Sequence, residues 1–386
     1  MRETKLPFST CYSDILSEGI RSRFVSANGL KMHLLEAGYE KPERPCVLLL
    51  HGFPELAYSW RNNLLPLAEQ GYHVVAPDLR GFGRTTGWET GGYDIDLIPF
   101  GNLNLVMDMI SLVTALGHKE VEMVIGHDCG VQVASCAALV RPDIFRSAVF
   151  MGAPFMGIAP LNTGEEKPTE FFRDLPVFSA LGSLERPRKH YQLYYASREA
   201  AKDMDHPIGG MKEFLRGYFY SKSADWKYNC PFPLKSWTAE EFAKMPTYYI
   251  MDEGKTMPET MIPYLEELGG RPMAWLTEAE LEVYAEEYKR TGFQGGLNWY
   301  RVGTGGENAR QCRLFCGRTV DVPVWFIAGV SDWCPYQIPG FLNAQEKNCT
   351  DFRGCYFVQQ AGHWVQQEQP EEVNRLLIDF LSHTKL

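Results

Sequence analysis

A chain of 386 residues with 45% hydrophobic and 22% charged residues is long enough for two domains, or for one large domain carrying an insertion, and buries a core without staples. Its 38 Lys and Arg against 48 Asp and Glu leave a net charge of −10, which argues against a nucleic-acid backbone or an anionic membrane as partner. No apolar run of about 18 residues is present to span a bilayer, and collagen-like, coiled-coil and disordered compositions are excluded.

From residue 22 to about 154, strand-like and helix-like segments alternate. Cys46-Val47-Leu48-Leu49-Leu50 is a continuous apolar run, as expected of a strand buried on both faces. Residues 56–70 carry helical spacing, and His73-Val74-Val75-Ala76-Pro77 reads as the next strand. Residues 100–116 read as a helix ending at Gly117. Val121 to Ile125 is a strand, 129–140 a helix and Ser147 to Met151 a further strand. The rhythm breaks at Gly152-Ala153-Pro154 and resumes with strands at Val322–Ala328 and Tyr356–Val358, then a helix over 370–381 opened by Pro370, Glu371 and Glu372. Strands alternating with helices predict a mostly parallel sheet covered on both sides, an α/β fold.

The interval 155–319 reads differently, being rich in Tyr, Trp, Met and Pro. Its Leu276–Lys289 stretch is helical, with Thr277 as N-cap and Glu280 closing a capping box. The simplest organisation is one sheet domain, 1–154 plus 320–386, with a mainly helical insert at 155–319. Such an insert would sit above the C-terminal edge of the sheet, where open α/β sheets keep their ligand crevice. The aromatics of Tyr220–Lys255, among them Trp226, Trp237, Tyr248 and Tyr249, would either wall off a deep apolar pocket or form the core of a large lid or a homodimer contact.

Ten cysteines are too few for a disulfide scaffold, and none forms a CxxC pair. Cys312 and Cys316, one helical turn apart, read as small apolar residues on a helix face rather than as a metal half-site, so no metal is expected. The N-terminus lacks the basic-then-apolar run of a secretory signal. A cytoplasmic, reducing location is expected, with the sequon at Asn348-Cys349-Thr350 unused. Thr384-Lys385-Leu386 is a weak relative of a peroxisomal address, which keeps that location open.

The chemistry concentrates in Val124-Ile125-Gly126-His127-Asp128-Cys129-Gly130. A strand, a tight turn and a helix, with small residues two before and two after the centre, match a nucleophile elbow with Asp128 where an esterase has Ser. The plain structural alternative is an Asp capping the following helix. Three further features favour the elbow. Leu50-His51-Gly52-Phe53-Pro54-Glu55 closes the apolar strand, so the amides of Phe53 and Cys129 would converge beside Asp128 as an oxyanion hole. Asp332 follows one strand and His363 the next, giving the order nucleophile, acid, histidine.

On these motifs the chain resembles the α/β-hydrolases of the soluble epoxide hydrolase family. The resemblance covers nearly the whole chain: His51-Gly52-Phe53-Pro54-Glu55, Gly126-His127-Asp128, Asp332 and Gly362-His363-Trp364. In the insert it rests on His190-Tyr191-Gln192-Leu193-Tyr194 and on Gly292–Arg301. It implies that Tyr191 and Tyr300 hold the epoxide oxygen; among 19 tyrosines, these two stand apart because they lie in the motifs. It further implies an apolar epoxide and water as reactants, attack by Asp128, ester hydrolysis by His363 oriented by Asp332, and no cofactor. Trp299, Trp364 and Pro54 are expected to contact substrate.

The chain departs from the family at Cys129, where the usual motif has Trp. The backbone amide survives the change, whereas the bulk and the donor beside the nucleophile, on which substrate size and regiochemistry would depend, are lost. The change weakens a haloalkane dehalogenase reading, in which that Trp binds halide. Two other readings stand beside the hydrolase: a cyclase in which a substrate hydroxyl opens the ring, and a silent binder, for which a complete triad would be superfluous.

Overall fold

The computed structural model describes residues 15–158 and 172–384. Its first part contains β1 (Arg21–Ala27), β2 (Leu30–Ala37), β3 (Cys46–Leu50), α1 (Leu64–Glu69), β4 (His73–Pro77), α2 (Asn102–Ala115), β5 (Val121–His127), α3 (Gly130–Val140) and β6 (Ala148–Met151). The chain then runs through α4 (Pro176–Leu181), β7 (Arg188–His190), α5 (Tyr191–Tyr195), α6 (Glu199–Asp205), α7 (Met211–Lys222), α8 (Ala239–Phe242), β8 (Ile250–Asp252) and α9 (Met257–Leu268). It continues with α10 (Glu278–Thr291), α11 (Gln294–Thr304) and α12 (Glu307–Cys312). It returns to the sheet with β9 (Val324–Gly329), α13 (Phe341–Asn348), β10 (Phe352–Val358), α14 (Val365–Glu368) and α15 (Pro370–Thr384).

Eight strands form one sheet in the order β1-β2-β4-β3-β5-β6-β9-β10. From β4 to β10 all neighbours are parallel. Every residue of β3, β4 and β9 is buried, so these strands read as apolar runs rather than as alternation. Burying each large aliphatic side chain contributes about 1.5–3 kcal/mol. The sheet therefore forms a stiff floor, and its parallel strands end along the edge where the motif residues lie.

Two local expectations are corrected. The alternation does not begin at residue 22: β1 and β2 form an antiparallel hairpin, and β2 lies antiparallel to β4. The hairpin turns through Asn28 (φ 46) and Gly29 (φ 76), the pair of left-handed residues that suits the twist of two strands. Nor is 56–70 one helix. A 3₁₀ turn at Ala57–Trp60 precedes α1, because Ser59, Arg61 and Asn63 are buried and drawn to Tyr284, Glu280 and Asn374.

The segment between β6 and β9 is mainly helical, with β7 and β8 as a small antiparallel pair. Thr277 and Glu280 make the expected capping box of α10. Cys312 and Cys316 do not share a helix: Cys312 ends α12, and Cys316 follows a 3₁₀ turn at Arg313–Phe315. The aromatics of 220–255 belong chiefly to the interior of this segment. Tyr248 and Tyr249 are fully buried, and Trp226 packs on Tyr228, Tyr248 and Tyr264. Among the described residues no helix is long and apolar enough to cross a membrane. Of the C-terminal tripeptide, Lys385 and Leu386 lie outside the described residues.

Close packing of β5 on α3 leaves no room for a Cβ at Gly126, where one would strike the backbone of Gly130 and Val131. Gly126→Ala should therefore cost about 1–3 kcal/mol, seen as a lowered melting temperature in thermal unfolding.

Candidate active site

β5 ends at His127, and Asp128 takes φ +50 before α3 begins at Gly130. A non-glycine residue in this region is uncommon and costs about 1–3 kcal/mol. The conformation is fixed from both sides: the Asp128 amide donates to Met151 O at 3.1 Å, and the Val131 amide donates to Asp128 O at 3.1 Å. A side chain at Gly130 would strike the carbonyls of Leu50 and His51, and one at Gly52 would strike Asp128 itself. These bare backbones bring the end of β3 against the turn, where the Phe53 amide donates to Asp128 Oδ1 at 3.1 Å. The Phe53–Pro54 peptide is cis.

The loops after β9 and β10 complete the arrangement. Both carboxylate oxygens of Asp332 lie 3.2 Å from His363 Nδ1, and Asp332 Oδ1 also accepts from the Cys334 amide at 2.8 Å. On its other side, His363 Nε2 lies 3.4 Å from Asp128 Oδ2. That contact is an ion pair rather than a directed bond, and Nε2 makes no hydrogen bond among the described residues. The His363 backbone is held at both ends: its amide donates to Lys222 O at 2.9 Å, and its carbonyl accepts from His127 Nε2 at 2.7 Å.

Glu55 joins the loops beneath. Its Oε2 meets His127 Nδ1 at 2.5 Å and accepts from the Gly52 amide at 2.9 Å, while Oε1 accepts from Gln366 and Gln367. Burial alone would raise this carboxyl, but the His127 charge and hydrogen bond bring it below the usual carboxylate range. Glu368 is a second anchor, accepting from the amides of Ala224, Gly362 and Trp364. Burial pushes Glu368 up to about 8 despite those donors. Glu55 and His127 stand within the sequence motifs, and no motif marks Glu368. Their importance lies in partners far away along the chain.

Charge at the centre is strongly coupled. Burial works to raise the Asp128 carboxyl, yet the close approach and charge of His363, with Lys222 and His127 behind it, hold it far below the ordinary range. Burial works to lower His363, but Asp332 and Asp128 together raise it to about 9. The resting site is therefore a carboxylate–imidazolium pair at neutral pH.

Two phenols from the inserted segment face the same space. Tyr191 opens α5 and Tyr300 lies within α11, with ring centroids 6.0 Å apart and planes at 72°. Tyr300 Oη is 3.7 Å from Cys129 Sγ, and Tyr191 Oη accepts from Gln192 Nε2 at 3.1 Å. Burial, and then nearby charge including that of Asp128, raises both phenols well above 10, so both keep their protons as donors. Asp128, Cys129, Tyr191 and Tyr300 line one cavity of about 620 Å³. Among the described residues no group of three His, Cys, Asp or Glu side chains is arranged to hold a metal.

Comparison with known proteins agrees with this geometry. The family model of the alpha/beta hydrolase fold matches residues 45–370. Epoxide hydrolase A of Mycobacterium tuberculosis is 32% identical over 377 residues, covering 94% of this chain and 98% of that one. The chain belongs to the epoxide hydrolase family of α/β-hydrolases. Epoxide hydrolase 3 of Siraitia grosvenorii is 30% identical, covering 93% of this chain and 97% of its own. Among solved structures, an epoxide hydrolase from an endophytic Streptomyces superposes with a TM-score of 0.74 at 29% identity, covering 95% of this chain and 96% of that chain. Potato epoxide hydrolase I gives 0.68 at 30%, covering 94% and 99%.

The three residues expected to contact substrate in this family member are placed elsewhere. Trp299 and Trp364 are not on the cavity wall; their indole N–H groups are taken up by Arg80 O and Phe219 O, both at 2.9 Å. Buried indoles need such an acceptor, and these two find it in backbone behind the cavity. Pro54 is likewise absent from the wall, which is built instead from Phe155, Phe172, Gln192, Phe242, Ile338 and Phe341. Of these six only Gln192 lies in a motif, next to Tyr191. Cys129 does line the cavity, as a small wall residue whose thiol burial pushes well above its usual value.

Asp128→Asn removes two of the influences that raise His363, so its titration should fall well below about 9, as read by ¹⁵N NMR of the imidazole. Unfolded His titrates near 6.5. The stability contributed by His363 in the native protein is thus fully present below about pH 6.5 and lost as pH rises through about 9. In Asp128→Asn, with the folded value brought nearer 6.5, that loss should be smaller and complete at lower pH in urea unfolding.

Proposed function

We propose that the protein hydrolyses an apolar epoxide to a vicinal diol through a covalent ester on Asp128, with residues 155–319 as a lid over a core of 1–154 and 320–386. The observation that carries this reading is one cavity with a carboxylate on its floor and two protonated phenols on its wall. An epoxide has no carbonyl, so attack falls on saturated carbon, and an ionised Asp128 needs no base for it. With Oδ1 held by the Phe53 amide, Oδ2 forms the bond to carbon as the ring C–O bond breaks. The ring oxygen takes a proton from Tyr191 or Tyr300, and the imidazolium returns one to the phenolate.

Ester formation also prepares the second half-reaction. The carboxylate that helped hold His363 at about 9 is now a neutral ester, so the imidazole becomes the free base the next step requires. His363, kept in orientation by Asp332, takes a proton from water, and the oxygen attacks the ester carbonyl. The resulting oxyanion faces the amides of Phe53 and Cys129. Its collapse breaks the acyl C–O bond, the departing alkoxide takes the proton of the newly added hydroxyl to leave as the diol, and the carboxylate–imidazolium pair is restored.

Asp128→Ala should lose turnover by at least about a thousandfold; wild-type rates in that variant on a panel of aryl, terpenoid and fatty-acid epoxides would overturn the reading. His363→Gln should accumulate a protein adduct equal in mass to the intact epoxide. Tyr191→Phe or Tyr300→Phe should slow formation of that adduct by about 10²-fold, measured by quenched flow. A diol heavier than the substrate by one water marks hydrolysis, whereas a product of unchanged mass marks intramolecular ring opening.

A further inference from the structure

Lys222 ends α7 and is only 3% exposed, yet its ammonium has no carboxylate within ion-pair distance among the described residues. It sits instead among aromatic faces, 4.7 Å from the ring centre of Tyr249, 4.8 Å from Tyr218, 5.5 Å from Tyr191 and 5.8 Å from Tyr248. Ring quadrupoles attract a cation, but a buried ammonium without a paired carboxylate is costly. Its place in the site is fixed by the backbone, because Lys222 O holds the His363 amide at 2.9 Å. A Cβ on the neighbouring Gly362 would strike that same carbonyl. One ring of the cage, Tyr191, also lines the cavity with Asp128. Burial brings the Lys222 ammonium below its usual value, and it is opposed first by the Asp128 charge and then by Cys334, Asp332 and Cys129.

The movement of charge in the proposed reaction gives this cation a task. Negative charge leaves Asp128 when the ester forms and returns to the same side chain as the oxyanion when water attacks. His363 changes its own protonation over that cycle; a caged ammonium stays in place. A positive charge held behind Tyr191, on the wall it shares with Asp128, therefore opposes departure of the charge and favours its return.

We propose that Lys222 is a positioning residue for charge in the second half-reaction: an aromatic-caged ammonium that stabilises the oxyanion formed on Asp128 during ester hydrolysis. This rests on the ester mechanism above. Lys222→Met keeps most of the side-chain volume and removes the charge. With styrene oxide as probe, rapid-quench intact-mass measurements follow formation and decay of the ester separately. Decay should slow about 10–100-fold in Lys222→Met, while formation is unchanged or faster, so that ester accumulates at steady state. Lys222→Arg should restore decay to within a few-fold of wild type. Lys222→Gln, read by the same split, replaces the Met variant if circular dichroism shows that one unfolded. Equal slowing of both halves, unchanged decay, or slowing that persists in Lys222→Arg overturns the assignment while leaving the ester mechanism intact. Absence of ester in every variant, His363→Gln included, overturns both.

Discussion

The left-handed backbone of Asp128 is the constraint on which the site depends. A carboxylate at the end of a regular strand would follow the pleat into the sheet. The turn at φ +50 lifts it out, and the turn persists because glycine backbones at 52, 126 and 130 let three chain segments meet with no side chain between them. The strain is small beside the burial of β3, β4 and β9 around it. The rigidity of the parallel sheet is thus converted into the position of two oxygen atoms.

Around that carboxylate the charges are shared rather than assigned residue by residue. Asp128 and His363 hold each other ionised, so a change at one alters the protonation of the other. Behind them, Glu55 and Glu368 act through hydrogen bonds to loop backbone, and His127 links Glu55 to the His363 carbonyl. Few of these groups touch the cavity. They fix the loops whose side chains do, and each buried polar atom satisfied in this way removes an alternative loop conformation.

The inserted segment adds the phenols and the wall. Tyr191 and Tyr300 come from different helices, brought together by packing on Phe53 and Tyr195. Cys129 at the elbow contacts Tyr300 directly, so the residue that departs from the family pattern touches one of the two phenols. A thiol there leaves space that an indole would fill, which ties this position of the motif to the shape of the cavity.

Local chemistry was legible in the sequence wherever it was decided by neighbours in the chain. The apolar runs of β3 and β4, the capping box of Thr277 and Glu280, and the strand–turn–helix around Asp128 could be read directly, because each is set within a few residues. The order Asp128, Asp332, His363 was readable for the same reason, each residue lying just past a strand end. For Trp299 and Trp364 a motif shows that an indole is present but not which carbonyl its N–H will find. The hairpin at Asn28-Gly29 was equally local and went unread, whereas the break at Ala57–Trp60, the hub at Glu55 and the cage around Lys222 were decided chiefly by contacts between segments remote along the chain. The chain thus determined by itself which chemical groups exist and which local bends carry them. Only the tertiary structure decided which of them share a cavity, because burial and distance are properties of the packed whole.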